Sequence, residues 1–170
     1  MDKILGMGNA LVDVLVKIDD DSLLEKLHLP KGSMQLIQED TLAEIRKSTA
    51  GMKIHRATGG SASNTVSALA ALGATPGFIG KIGKDETGQF FDDTLRQRGV
   101  KTALKTCDLP SGIASTFISP DGERTFGTCL GAAATLHADD LSRDMFTGYD
   151  YLYIEGYLLQ DHDLMLRAMQ

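Results

Sequence analysis

Residues 57 to 80 carry no charged side chain, and an uncharged stretch of that length either crosses a membrane or is packed inside a fold. Five glycines near its ends, Pro76, Asn64 and several Ser and Thr fit a buried helix–turn–strand unit better than a span. Its first part, "TGGSASNTVSALAALGA" (58 to 74), sets two glycines at the mouth of a helix. Val66, Leu69, Ala70 and Leu72 give that helix an apolar stripe, and Gly73 ends it. "TPGFIGKIG" then reads as a strand. The rest of the chain has to be built around this unit.

Strand and helix patterns alternate on both sides of it. Strands are predicted at about 3 to 8 and 11 to 18, with Gly8-Asn9 between them, and at "SMQLI" (33 to 37). "DDDSLLEKLHLPKG" reads as a short helix with an acidic start, and "QEDTLAEIRKS" as an amphipathic one with Leu42 and Ile45 on one side. "DETGQFFDDTLRQRG" is a helix with Phe90, Phe91 and Leu95 together and Asp85 near its N-cap. "ADDLSRDMF" is expected as a short helix, "YDYLYIEGYLL" as a buried strand and "DHDLMLRAMQ" as the opening of another helix. Such alternation predicts an α/β layered fold with a mostly parallel sheet. The Thr- and Ser-rich segments within 102 to 129 have a different character. Pro120-Asp121-Gly122 is a turn signal that predicts a hairpin of 113 to 119 with 123 to 129, in a second, smaller sheet at an exposed or intersubunit surface. At 170 residues with 42% of them hydrophobic, the chain has the apolar content for one domain core. With a core strand followed directly by an opening helix, it reads as the front part of a longer fold.

Charge and residue type exclude several classes. A net charge of -6 offers no basic stripe for nucleic acid. Cys107 and Cys129 lack CxxC spacing and no secretory leader is evident, so free thiols in a cytoplasmic setting are expected. His28, His55, His137 and His162 are scattered rather than paired as zinc ligands, and "DHDLM" reads as helix capping, so no metal site is expected. There is no GxxxxGK[ST] loop, and Gly6-Met7-Gly8 meets Leu11 where a dinucleotide fingerprint needs its third glycine.

Three features could carry chemistry. Gly59 and Gly60 lack Cβ atoms and could let backbone approach a ligand at a helix N-terminus, with Asn64 one turn on; equally, they could form a structural turn with a capping Asn. Asp13 lies inside "LVDVLV", where a carboxylate is costly unless it is hydrogen-bonded or faces a ligand, although Asp13 and Lys17 could also share a wet face. Glu155, in "LYIEGYLL", falls near the C-terminal end of an apolar strand, the edge at which open α/β sheets bind ligands.

In order along the chain, "GMGNALVDVL", "GGSASN", "GFIGKIGKDETG", a Thr-rich hairpin and "YLYIEGY" resemble the N-terminal part of the PfkB family, also called ribokinase-like carbohydrate kinases. "GNALVDVL" and "PKGSMQLI" resemble its adenosine kinase and bacterial sugar kinase branch. The resemblance implies a three-layer ribokinase-like fold with a small β-sheet lid, its strands drawn from about 11–18, 33–37 and 102–129. It implies ATP-dependent, Mg2+-assisted phosphorylation of a hydroxymethyl group on a sugar or nucleoside, and a homodimer through the lid in many members. Carried over residue by residue, Asp13 accepts hydrogen bonds from the acceptor's hydroxyls, and Asn9, Gly59, Gly60 and Asn64 complete the cup, with Ser61 and Gln35 beside it. Glu155 stands at a position that contacts sugar in ribokinase-like members, whereas adenosine kinases tend to have a small residue there. The family's second signature, a glycine-rich anion hole with the catalytic aspartate, has no counterpart in residues 1–170. The expectation is an acceptor-binding half without catalytic residues; the alternative is a sugar- or nucleoside-binding module that does no chemistry.

Overall fold

The computed structural model describes residues 3–170. Nine strands and five α-helices follow in the order β1 (Ile4–Met7), β2 (Leu11–Lys17), α1 (Ser22–Lys26), β3 (Met34–Leu36), α2 (Glu39–Ser48), β4 (Ile54–Gly59), α3 (Ser61–Ala71), β5 (Gly77–Gly83), α4 (Glu86–Gln97), β6 (Lys101–Cys107), β7 (Gly112–Ile118), β8 (Arg124–Cys129), β9 (Tyr151–Ile154) and α5 (His162–Met169). They build two sheets. A four-stranded sheet in the order β6-β5-β1-β9 is parallel throughout. A five-stranded sheet in the order β3-β8-β7-β2-β4 mixes antiparallel β2–β4 and β7–β8 pairs with parallel β2–β7 and β3–β8 pairs.

The parallel sheet is covered on both faces, as parallel sheets generally are. On one side Phe78 and Ile82 of β5 pack against Val66 of α3 and Phe91 and Leu95 of α4. Phe78 and Phe91 meet in a tilted aromatic pair with centroids 5.6 Å apart. On the other side Leu5, Met7 and Ile79 pack against Leu136, Leu141 and, from α5, Leu164 and Met165. Helix, sheet and helix therefore make three layers. The five-stranded sheet has its own core, in which Val16 and Phe117 meet Leu24 of α1 and Ile45 of α2.

Several expectations need correction. Residues 101 to 107 do not join the small sheet. β6 pairs along its whole length with β5, from Gly77↔Lys101 to Gly83↔Cys107. It is an edge strand, and a half-exposed edge gives it the polar composition that made it look like the hairpin strands. The small sheet gains β4 instead, through the antiparallel ladder Leu11↔Gly59 to Val16↔Ile54. The hairpin forms as expected between β7 and β8, but it is not at an exposed surface: Phe117 and Thr125 are fully buried, because β2 flanks β7 and α1 and α2 cover one face. Near the end of the chain, 149 to 159 is not one buried strand. β9 is a four-residue edge strand with Tyr151 and Tyr153 exposed, and a 3-10 turn takes over at Gly156–Gln160. The segment 138 to 146 forms two short 3-10 turns rather than a helix.

Candidate functional site

Three segment ends converge where the sheets meet. The chain leaves β1 for β2 through Gly8, Asn9 and Ala10; β4 ends at Gly59 and enters α3 through Gly60; β9 ends beside Glu155. Gly60 has φ +88°, in the left-handed region, and a Cβ there would run into the Asn9 carbonyl oxygen. A Cβ at Gly59 would collide with the Asp13 carboxylate on the neighbouring strand. Gly60 is therefore demanded by its backbone conformation and by the approach of the Asn9 carbonyl, whereas a Cβ at Gly59 would force the Asp13 carboxylate aside. Ser63 Oγ, one turn into α3, donates to the carbonyls of Gly59 and Gly60, which fixes the bend.

Glu155 ties these ends together. It is buried, with 2% of its surface exposed. Its Oε1 accepts from Asn9 N at 2.7 Å and from Asn9 Nδ2 at 2.6 Å. Its Oε2 accepts from Ser61 Oγ at 2.9 Å and from Ala62 N at 3.3 Å, at the start of α3. A carboxylate at a helix N-terminus is further favoured by the helix dipole. The cost of burying it is offset by four donors, so it has little capacity left for a ligand.

Beside this cluster opens a cleft of about 430 Å³. Asn9, Gly60, Ser61 and Glu155 line its polar end, while Met34, Leu36, Leu130, Leu136 and Tyr157 form an apolar wall. Gln35 is not part of it. Successive strand residues point to opposite faces, so Met34 and Leu36 take the cleft side of β3, and Gln35 Nε2 donates to Ser33 Oγ instead, at 3.2 Å. Sequence reasoning passed over these two apolar residues, although the alternation of "SMQLI" carries the signal. Asn64 is exposed on the first turn of α3, and its backbone N donates to Gly60 O. Asp13 is half-buried and sits over Gly59; no hydrogen bond from a described residue stabilises its carboxylate. Burial raises its pKa, and the positive charge of Arg124, which sequence reasoning also passed over, works in the opposite direction. Asp13 is thus a half-desolvated acceptor without a partner among the described residues, two positions along β2 from Leu11, which lines the cleft.

A family model described as pfkB family carbohydrate kinase matches residues 33–170. The chain belongs to the pfkB family of carbohydrate kinases. Among solved structures, this pfkB chain is similar to adenosine kinase from Sinorhizobium meliloti, with 35% identity and a TM-score of 0.84 over 98% of the chain and 52% of that structure. It is also similar to a probable sugar kinase from Rhizobium etli CFN 42, with 31% identity and a TM-score of 0.83 over 97% of the chain and 51% of that structure. Among curated proteins, the aminoimidazole riboside kinase of Salmonella typhimurium is 30% identical over 105 residues, 61% of the chain and 33% of that protein. The chain thus spans about half the length of these solved relatives and matches a third of the curated one. The mixed α/β architecture, with a parallel sheet and a second sheet, is that of the ribokinase-like adenosine kinase fold. Membership of the pfkB family implies ATP and Mg2+ in its full-length enzymes. Among the described residues no group of three or more His, Cys, Asp or Glu could hold a metal ion, so these residues do not fit a Mg2+ site of their own. Among the described residues no helix is long and apolar enough to cross a membrane.

Proposed function

We propose that this chain is the acceptor-binding half of a pfkB-family kinase that transfers phosphate from ATP to a hydroxymethyl group, and that the acceptor is a nucleoside. The observation that carries the first part is Asp13: a half-buried carboxylate held against Gly59 with no donor among the described residues, beside a cleft whose polar end includes Asn9, Gly60 and Ser61. Such a group gains most from a ligand that donates hydroxyl protons to it. The nucleoside reading rests on the apolar wall. Met34 and Leu36 are exposed at 49% and 65%, and with Leu130 and Tyr157 they offer a flat apolar surface next to the polar end. A free hexose would leave that wall in water, whereas the planar base of a nucleoside covers it. The similarity to an adenosine kinase and an aminoimidazole riboside kinase supports the same reading. The five-stranded sheet acts as the lid over the acceptor, and its exposed β3 edge is where a second copy would pair.

Calorimetric titration of the 170-residue chain with adenosine, inosine, ribose and fructose tests the proposal. The nucleosides should bind at least about tenfold more tightly than ribose, the gain expected from burying roughly 60 Å² or more of apolar wall. Equal binding of ribose and adenosine would remove the nucleoside reading, and no binding of any of the four would remove the acceptor cleft.

A further inference from the structure

Glu155 lines the polar end of the cleft but spends both its oxygens on protein donors, and this bears on what its neighbours can offer. The backbone N–H groups of Asn9 and Ala62 can only donate, and they point at different oxygens of Glu155, at 2.7 Å and 3.3 Å. Both oxygens are therefore acceptors. Asn9 Nδ2 donates to the first of them at 2.6 Å, which orients the amide and leaves Asn9 Oδ1, an acceptor, as its free end. Ser61 spends its one hydroxyl proton on the second at 2.9 Å, which leaves lone pairs on its oxygen. Asp13, nearby, adds a carboxylate with no donor among the described residues.

We infer that Glu155 is a positioning residue that sets the hydrogen-bond polarity of the cleft. It fixes Asn9 and Ser61 so that Asn9 Oδ1 and the Ser61 lone pairs are offered as acceptors near the Asp13 carboxylate, with the second Asn9 Nδ2 proton the one side-chain donor left over. The cleft then favours ligands that present hydroxyl donors there over those that present a carbonyl, a carboxylate or fluorine. The selection rests on the reading of this cleft as the acceptor site; the orientation of Asn9 and Ser61 does not.

Two measurements test it. The chain has two asparagines, Asn9 and the exposed Asn64, so 15N-Asn labelling yields two side-chain amides, with Asn64 as an internal control. Asn9 should show one amide proton shifted downfield and slow to exchange, and Glu155→Ala, which removes both acceptor oxygens, should abolish this while leaving Asn64 unchanged. An Asn9 amide that resembles Asn64 in the unsubstituted chain would overturn the inference without any variant having to fold. The second measurement is the affinity for adenosine against its 2′- and 3′-deoxyfluoro analogues, which keep the size of the hydroxyl but donate nothing. At least one analogue should bind about tenfold or more weakly, the value of one hydrogen bond to a charged or polarised group, and Glu155→Gln should shrink that ratio. If both analogues bind as well as adenosine, the selection is wrong while the acceptor cleft stands. If adenosine itself fails to bind although Asn9 behaves as expected, the acceptor cleft is wrong, the selection falls with it, and Glu155 is a clamp alone.

Discussion

At the scale of single residues, Asp13 is where stability and binding oppose each other. Its pKa is raised above 3.8 by burial, against the pull of Arg124. For a carboxyl raised in the folded state, the folded chain holds the proton more tightly than the unfolded one. The ionised group therefore costs stability above its raised pKa, and the cost disappears as the pH falls below the ordinary value. Asp13→Asn should accordingly raise the melting temperature of the ligand-free chain at neutral pH by about 1–3 °C, with the gain vanishing below pH 3.8. The same substitution should weaken nucleoside or sugar binding by at least about 2 kcal/mol, since it removes a charge-assisted acceptor. Circular-dichroism melts across the pH range and calorimetry read the two effects separately. A variant that is less stable at neutral pH, or that binds as tightly as the parent, contradicts the role given to Asp13. The oddity of this residue was legible in the sequence, because a carboxylate inside "LVDVLV" demands an explanation. Gln35 was named from the family resemblance alone, whereas strand alternation puts its neighbours Met34 and Leu36 on the cleft side.

At the scale of elements, the start of α4 is tied to the strand crossing between the sheets. Asp85 caps the helix by accepting from Gly88 N at 2.8 Å, and also accepts from Ser111 N at 2.8 Å and Ser111 Oγ at 2.6 Å. Burial opposes its charge, but the hydrogen bonds from Ser111 and Gly88 outweigh burial and hold its pKa below the usual carboxylate value. Ser111 stands just before β7, where the chain passes from the parallel sheet to the second one. Asp85→Ala should cost about 2 kcal/mol, a lost N-cap together with unsatisfied Ser111 donors, measured by urea denaturation. The difference from the parent should fade as the pH falls through 3.8 and below. A loss under about 0.5 kcal/mol would mean that the cap does not anchor the crossing. The capping role of Asp85 could be read from "KDETGQ". Its bond to Ser111, 26 positions away, could not, because no local spacing encodes it. β9 was over-extended for a related reason: apolar density alone does not show that the chain turns at Glu155 to satisfy a buried carboxylate.

At the scale of the whole molecule, residues 3–170 supply hydrogen-bond acceptors beside a cleft, but no glycine-rich loop that would hold phosphates and no metal-binding cluster. Phosphoryl transfer is largely positioning and charge stabilisation. The 170-residue chain should therefore show no ADP release above background with ATP, Mg2+ and adenosine, inosine, ribose or fructose, while a version extended with the C-terminal half of a pfkB relative should. Turnover by the purified chain that disappears in Asp13→Ala, which excludes a contaminating kinase, would show that the catalytic groups lie within it. What the sequence settled by itself was whatever depends on neighbours along the chain. The helix–turn–strand order of 57 to 80, the strand–helix alternation, the β7–β8 hairpin and the glycine pair followed from periodicity, turn chemistry and the lack of Cβ atoms, although Leu72, expected on the buried stripe of α3, is exposed. Tertiary structure decided which sheet each strand joins. Backbone hydrogen bonding is the same for any strand of suitable length, and composition did not separate the edge strand β6 from the hairpin strands. It also decided that Glu155 accepts from Asn9, 146 positions away, because a buried carboxylate takes whatever donors the fold brings within reach.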